Sequence, residues 1–232
     1  MSELKRIKLN TPTYREIIPS SKKEVQISPF KVGDEKLLLI ASESKDAKQM
    51  IDGLKNVISS CVKGADLTEM AAYDVEYLFL KIRSISVGET ATVLLTCTEC
   101  ETANEVKVDL SKIEVRYIDN FVRDIKVTDD LIFKMKTPDI DSYTGIDTTP
   151  DGIITFIARN VERVFYGEET IEVSQNEIND VIDIINQCTA SQFADMQNYV
   201  QTMPKVSYDI EFICKECGHK NTRTLEGLAD FF

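Results

Sequence analysis

A repeated cysteine motif constrains the fold of this 232-residue chain more than any other feature. Residues 97–104 read CTECETAN and residues 214–221 read CKECGHKN, so the pattern C-x-E-C-x-x-x-N occurs twice. We call these the first and second knuckle. Each knuckle lies between two strand-like segments, VLLT and VKVDL for the first, EFI and RTLEGL for the second. This arrangement predicts two β-hairpins, each carrying two thiols at its tip.

The four knuckle cysteines have the spacing of a zinc site. Structural zinc takes four tetrahedral ligands, and two C-x-x-C turns complete such a shell. The pattern therefore predicts one zinc-ribbon site with one zinc, held by Cys97, Cys100, Cys214 and Cys217. Four thiolates leave no coordination position for water, so we expect a structural metal and not a catalytic one.

Other uses of the cysteines stay open at this point. A redox pair would normally begin a helix, where the helix field lowers the thiol pKa, whereas both pairs here follow predicted strands. The four thiols could also be free structural cysteines. His219 could replace one thiolate ligand, but we expect it at the surface or beside the ligands. Cys61 and Cys188 are expected to be small buried hydrophobic residues.

Composition and charge exclude several functions. The net charge is −12, with a pI near 4.7, which disfavours binding to nucleic acid and to anionic membranes. No apolar run approaches the roughly 20 residues that span a bilayer, and the N-terminus lacks the pattern of a secretory signal. We therefore expect a cytosolic protein, in which thiols stay reduced.

The hydrophobic pattern predicts an α+β fold in a single domain, residues 1–232. The zinc-ribbon halves are expected at about 91–110 and 208–226, and a helical part at about 150–203. The first forty residues, in which Pro12, Pro19 and Pro29 separate short segments such as EVQI and EKLLLIA, are interpreted as extended.

Two features of the helical part are specific enough to test. The apolar stripe from Ile153 to Val164 predicts a helix that ends near Gly167. Ser174 and Glu177 have the spacing of a capping box and predict the start of the next helix.

Sequence motifs for catalysis are missing. Neither glycine-rich phosphate loop occurs, and a chain with one histidine offers little to a histidine-dependent triad. The segment after Asp139 starts like a calcium loop but has Thr144 where glycine is required and Pro150 where glutamate is required. We expect a protein without enzymatic activity.

The C-terminus, LEGLADFF, places Phe231 and Phe232 at the end of the chain. Terminal residues fray unless they are docked, so two exposed rings would be unfavourable in a free monomer. The rings are therefore expected either in this protein's own core or in the groove of a binding partner.

Several segments occur in the order of a known family: SPFKVGDEKLLLIASES, EYLFLKIRSISVGE, the two knuckles and LEGLADFF. From about residue 11 to the C-terminus, the chain resembles the baseplate hub and hub-assembly proteins of T-even-like contractile-tailed bacteriophages. The resemblance implies a hub subunit or assembly factor, made in the host cytoplasm, that contacts other hub and tail proteins. The four knuckle cysteines fit the family pattern.

Residues and resemblance together predict a non-enzymatic viral tail protein that acts through protein–protein contacts and carries a structural zinc. The alternative is a zinc-ribbon regulator that binds nucleic acid or a transcription complex. Salt-sensitive retention on DNA would favour the regulator, and co-purification with tail proteins would favour the tail protein.

Overall fold

The computed structural model describes residues 9–44, 46–119 and 121–231. The predicted α+β class is confirmed, with six α-helices and twelve β-strands in these residues. Contacts divide the chain into two compact units. Unit 1 consists of three segments: the described residues up to 70, residues 74–113, and the described residues from 208 onward. Unit 2 consists of residues 71–73 and 114–207.

The strands, in chain order, are β1 (Tyr14–Ile17), β2 (Glu24–Ile27), β3 (Val62–Lys63), β4 (Thr90–Thr96), β5 (Ala103–Asp109), β6 (Glu114–Arg116), β7 (Asp124–Lys126), β8 (Leu131–Met135), β9 (Val161–Tyr166), β10 (Glu169–Glu172), β11 (Lys205–Ile213) and β12 (Lys220–Glu226). The α-helices are α1 (Val32–Ser44), α2 (Ala47–Cys61), α3 (Ala72–Val87), α4 (Pro150–Arg159), α5 (Ile178–Asn186) and α6 (Ala190–Thr202). Short 3₁₀ helices cover Leu67–Glu69, Leu110–Lys112, Ile140–Tyr143 and Leu228–Phe231. Of the helices in this part of the chain, none is both long and apolar enough to cross a membrane.

Unit 1 contains an antiparallel sheet, β1-β2-β3, and the two cysteine hairpins. The first hairpin pairs β4 with β5 in unbroken register from Thr90↔Asp109 to Thr96↔Ala103. Its inward positions alternate with exposed ones, as period-2 patterning requires; the buried members are Ala91, Val93, Asn104, Val106 and Val108. The second hairpin is formed by β11 and β12, which are neighbours in the sheet β12-β11-β6.

The extended interpretation of the first forty residues is wrong over α1. Leu37, Leu39 and Ile40 are each about half exposed, so the apolar residues of α1 do not mark one buried face and the helical period is hidden. The helix packs on α2 at Gly53, where an added Cβ would lie 3.3 Å from Cβ of Ala41. A Cβ at this position would crowd Ala41, so glycine suits this close approach.

Unit 2 contains the four-stranded antiparallel sheet β10-β9-β8-β7. Its core joins apolar side chains of the sheet with others from α4, α5 and α6; among the fully buried ones are Phe133, Met135, Ile157, Ala158 and Met196. Tyr199, also buried, donates a 2.6 Å hydrogen bond from its hydroxyl to the carbonyl of Lys136.

The predicted helical part, 150–203, contains β9 and β10 between its helices, so the single helix expected from Ile153 to Gly167 is wrong. Helix α4 stops before Asn160, whose buried side chain donates from Nδ2 to the carbonyl of Phe156 at 2.7 Å. The next residues, VERVFY, are β-branched or aromatic at four of six positions and favour a strand. The apolar stripe simply continues from one element into the next.

The capping box expected at Ser174 is also wrong. The backbone N–H and hydroxyl of Ser174 both donate to the Glu177 carboxylate, but α5 begins only after Glu177, which makes no side-chain cap. A complete capping box lies instead at the start of α6. There, Thr189 Oγ1 accepts from the backbone N–H of Gln192, and Gln192 Oε1 accepts from the backbone N–H of Thr189.

Candidate metal centre

The tips of the two cysteine hairpins meet within unit 1. The Sγ atoms of Cys97, Cys100, Cys214 and Cys217 all lie within 4.8 Å of one another. Across the knuckles, the sulfur of Cys97 lies 3.8 Å from that of Cys217, and the sulfur of Cys100 lies 3.6 Å from that of Cys214. A disulfide needs a separation of about 2.0 Å, whereas a tetrahedral zinc with 2.3 Å Zn–S bonds places sulfurs about 3.8 Å apart. The four donors therefore fit one metal ion bound by four thiolates.

Both knuckles fold in the same way. In the first, the N–H of Cys97 donates to the carbonyl of Thr102 at 2.9 Å; in the second, the N–H of Cys214 donates to the carbonyl of His219 at 2.9 Å. The residue after each second cysteine has positive φ, 58° at Glu101 and 71° at Gly218. The two knuckles therefore repeat the same backbone conformation as well as the same sequence pattern. Glycine, as at Gly218, is the residue best suited to the positive φ after the second cysteine.

The four sulfurs differ in their access to solvent. Cys97 and Cys214, the first cysteine of each knuckle, are 1% and 2% exposed. Cys100 and Cys217, the second of each, are exposed at the tips of the hairpins. Water can hydrate the outer pair, but the inner pair depends on donors from the protein.

Asparagine side chains supply such donors. Asn104 Nδ2 lies 3.7 Å from the sulfur of Cys214, and Asn221 Nδ2 lies 3.5 Å from the sulfur of Cys97. Both asparagines are buried, with 4% and 1% of their surface exposed. Both are the last residue of the repeated motif, for which the sequence predicted no role, although their identical position in both knuckles was the available signal.

The backbone turns also shift the pKa values of the thiols. Backbone N–H groups of Cys217 and Glu216 lower the pKa of Cys214 to about 6. Burial acts to raise the pKa of Cys97, but neighbouring backbone and amide donors outweigh it and the net pKa is lowered. The pKa of Cys217 is raised to about 12, since the nearby sulfurs outweigh the lowering effect of the His219 N–H. Both inner thiols therefore ionise more readily than a free cysteine, and the thiolate is the form that binds metals.

The other cysteines and the histidine lie outside this cluster. Cys61 is buried in α2, and Cys188 is half-buried after α5 with its thiol 3.4 Å from the carbonyl of Ile184. Burial raises the pKa of both thiols, which suits unreactive packing residues. The His219 side chain is exposed, as expected for a residue that is not a ligand.

Phe231 is buried in unit 1, with 1% of its surface exposed, and belongs to the 3₁₀ helix Leu228–Phe231 that contacts β4 and β12. This position agrees with docking in the protein's own core, and binding of the ring by a partner stays a prediction. Phe232, the other residue predicted to bind a partner, lies outside the described residues.

Fold and site together define a mixed α+β protein in which two cysteine hairpins converge on one candidate metal site. The chain belongs to the T4 bacteriophage base plate protein family, whose model matches residues 11–232. The resemblance found in the sequence is thus confirmed for the baseplate family. Comparisons with curated proteins and with solved structures found no significant match.

Proposed function

We propose that this chain builds the central hub of the tail baseplate, either as a hub subunit or as a hub-assembly factor. The observation that carries the proposal is the family match over residues 11–232, which leaves almost no part of the chain outside a baseplate protein. The function is to contact other hub and tail proteins. It is carried out in the host cytoplasm during assembly and, for a subunit, in the virion tail.

The metal centre serves this function by stabilising the fold, and the metal is zinc. Four thiolates form a closed tetrahedral shell with no position for a substrate or an activated water. Because Cys100 and Cys214 are 114 residues apart in sequence, one zinc ties the C-terminal hairpin to the hairpin of β4 and β5.

A role without catalysis is supported by the distribution of polar groups. In the described part of the chain, the four knuckle cysteines are the one group of three or more His, Cys, Asp or Glu side chains placed to hold a metal ion. The charge of −12 supports contacts with proteins over contacts with nucleic acid.

The first test is the metal content of the purified protein by elemental mass spectrometry. We expect about one zinc per chain and its loss in the double variant Cys97→Ser/Cys214→Ser. The absence of metal from wild type would remove the zinc from the proposal and reopen a redox role for the thiols.

The second test is genetic. A phage in which this gene is inactivated should fail to complete baseplates, and the protein from wild-type infections should co-purify with hub and tail proteins. Its presence in purified virions identifies a subunit, and its absence from them identifies an assembly factor. Normal tails without the protein, or salt-sensitive retention on DNA, would overturn the hub role.

A further inference from the structure

We propose that Asn104 and Asn221 are reciprocal positioning residues of the metal centre, each belonging to one knuckle and holding the sulfur of the other. This inference rests on the metal centre proposed above. It assigns to the last residue of the repeated C-x-E-C-x-x-x-N motif a function that neither hairpin provides alone.

The contacts of Asn104 lead from the first knuckle to the second. Its Oδ1 accepts a 2.9 Å hydrogen bond from the backbone N–H of Lys215, the residue after Cys214. Its Nδ2 lies 3.7 Å from the sulfur of Cys214 and donates at 2.7 Å to the carbonyl of Thr102 in its own knuckle. One amide group thus joins its own turn to a ligand and to the backbone of the opposite turn.

The contacts of Asn221 repeat this arrangement in the other direction. Its Oδ1 accepts a 2.9 Å hydrogen bond from the backbone N–H of Thr98, the residue after Cys97. Its Nδ2 lies 3.5 Å from the sulfur of Cys97 and 3.1 Å from the carbonyl of His219 in its own knuckle. Each contact of Asn104 therefore has a counterpart at the equivalent position of the repeat.

The two sulfurs that receive these donors belong to the two buried cysteines of the cluster. Four thiolates around Zn²⁺ carry a net charge of about −2, and a buried charge is unfavourable unless hydrogen-bond donors surround it. Cys97 and Cys214 are buried, and each receives an asparagine amide; Cys100 and Cys217 are exposed. The asparagines are therefore placed where protein donors are needed.

Asparagine is specific to this task. The oxygen must accept a backbone N–H, while two N–H donors must reach a carbonyl and a thiolate from the same amide. Aspartate has the same shape and keeps the acceptor, but it has no donor and adds a negative charge beside the buried sulfur. Asn→Asp is consequently a sharp test with little change in volume.

The experiment compares the zinc affinity of full-length wild type, Asn104→Asp and Asn221→Asp by competition with a chelator. Removal of contacts around metal ligands typically weakens binding by about 10- to 100-fold, and we expect each variant to fall in that range. Asn176→Asp, which adds the same charge at an exposed position before α5, is the control and should bind zinc as tightly as wild type.

Unchanged zinc affinity in both variants would overturn the inference. A wild type that binds no zinc would overturn the metal centre itself, so the two failures are distinguishable. A second measurement uses wild type only and therefore also covers the case in which a variant fails to fold.

In wild type loaded with an NMR-active cadmium isotope, scalar coupling should connect the metal to the side-chain amide protons of Asn104 and Asn221. Coupling to backbone amides without coupling to these side chains would also overturn the inference.

Discussion

At the scale of single residues, unit 1 contains two chemically distinct sites. The first is the four-sulfur cluster, in which backbone N–H groups and two asparagine amides surround the inner sulfurs. The second is Glu76 on α3, a carboxylate that burial makes difficult to ionise and that accepts the backbone N–H of Leu228. Each site links the C-terminal segment to an earlier part of the chain, and each can be tested by one substitution.

Cys214→Ser should release the metal and strongly destabilise the protein. Structural zinc contributes apparent binding free energies of about 10 kcal/mol or more in small domains, so even a fraction of this lowers the melting temperature by roughly 10 °C or more. Thermal unfolding followed by circular dichroism measures the effect. Cys188→Ser is the matched control, because Cys188 lies outside the cluster, and it should keep both the metal and the wild-type melting temperature. If Cys214→Ser loses the metal but has the same melting temperature as wild type, the metal has no structural role.

Glu76 should make stability fall as the pH rises. Burial raises the pKa of its carboxyl from 4.5 to about 7 in the folded protein, although the Leu228 N–H favours the charged form. The folded state binds the Glu76 proton more tightly than the unfolded state, so protonated Glu76 contributes to the free energy of unfolding. This contribution is complete below pH 4.5 and is lost as the pH approaches 7. For one proton, the free energy of unfolding changes by at most about 1.4 kcal/mol per pH unit.

Glu76→Gln stays neutral and keeps an acceptor for Leu228. Its free energy of unfolding should therefore lack the pH-dependent contribution that Glu76 makes in wild type. Urea unfolding of wild type and variant at several pH values gives the difference in free energy of unfolding. Glu168→Gln, at an exposed turn between β9 and β10, serves as the control and should follow wild type. A difference between Glu76→Gln and wild type that stays constant from pH 4.5 to 7 would contradict the raised pKa.

At the scale of elements, success and failure of the sequence predictions have a common physical cause. The cysteine hairpins were predictable because period-2 burial and the C-x-x-C turn are both local signals. Helix α1 was not predictable, because its exposed leucines obscure the helical period. The end of α4 was not predictable either, because apolar residues recur on both sides of Asn160, in α4 and in β9. The crossed contacts of Asn104 and Asn221 join residues 111 and 123 positions apart, and in the sequence only the shared motif position of the two asparagines points to them.

The C-terminal 3₁₀ helix provides a test at this scale. Phe231→Ala should destabilise the folded protein by about 3–5 kcal/mol, the usual cost of truncating a buried phenylalanine, because its ring is 1% exposed. Phe231→Leu should cost clearly less, since it keeps most of the apolar volume. Chemical denaturation measures both. If Phe231→Ala unfolds like wild type but fails to join tail assemblies, the ring instead serves a partner.

At the scale of the whole molecule, the chain passes from unit 1 into unit 2 and returns. Unit 1 needs residues on both sides of the segment 114–207, because its second cysteine hairpin follows that segment. The single domain expected from the sequence stays a prediction. The proposed zinc site can be completed only after Cys217 has been made, so zinc binding would report on the folding of unit 1.

Scanning calorimetry of the protein with zinc and after chelation tests the single domain. One domain predicts one transition in both samples, with equal calorimetric and van't Hoff enthalpies, and a lower midpoint after chelation. Two independent units would instead unfold in two transitions, and chelation would move only the one that belongs to unit 1, where all four cysteines lie. That second pattern would contradict the prediction and would mean that unit 2 folds without the metal.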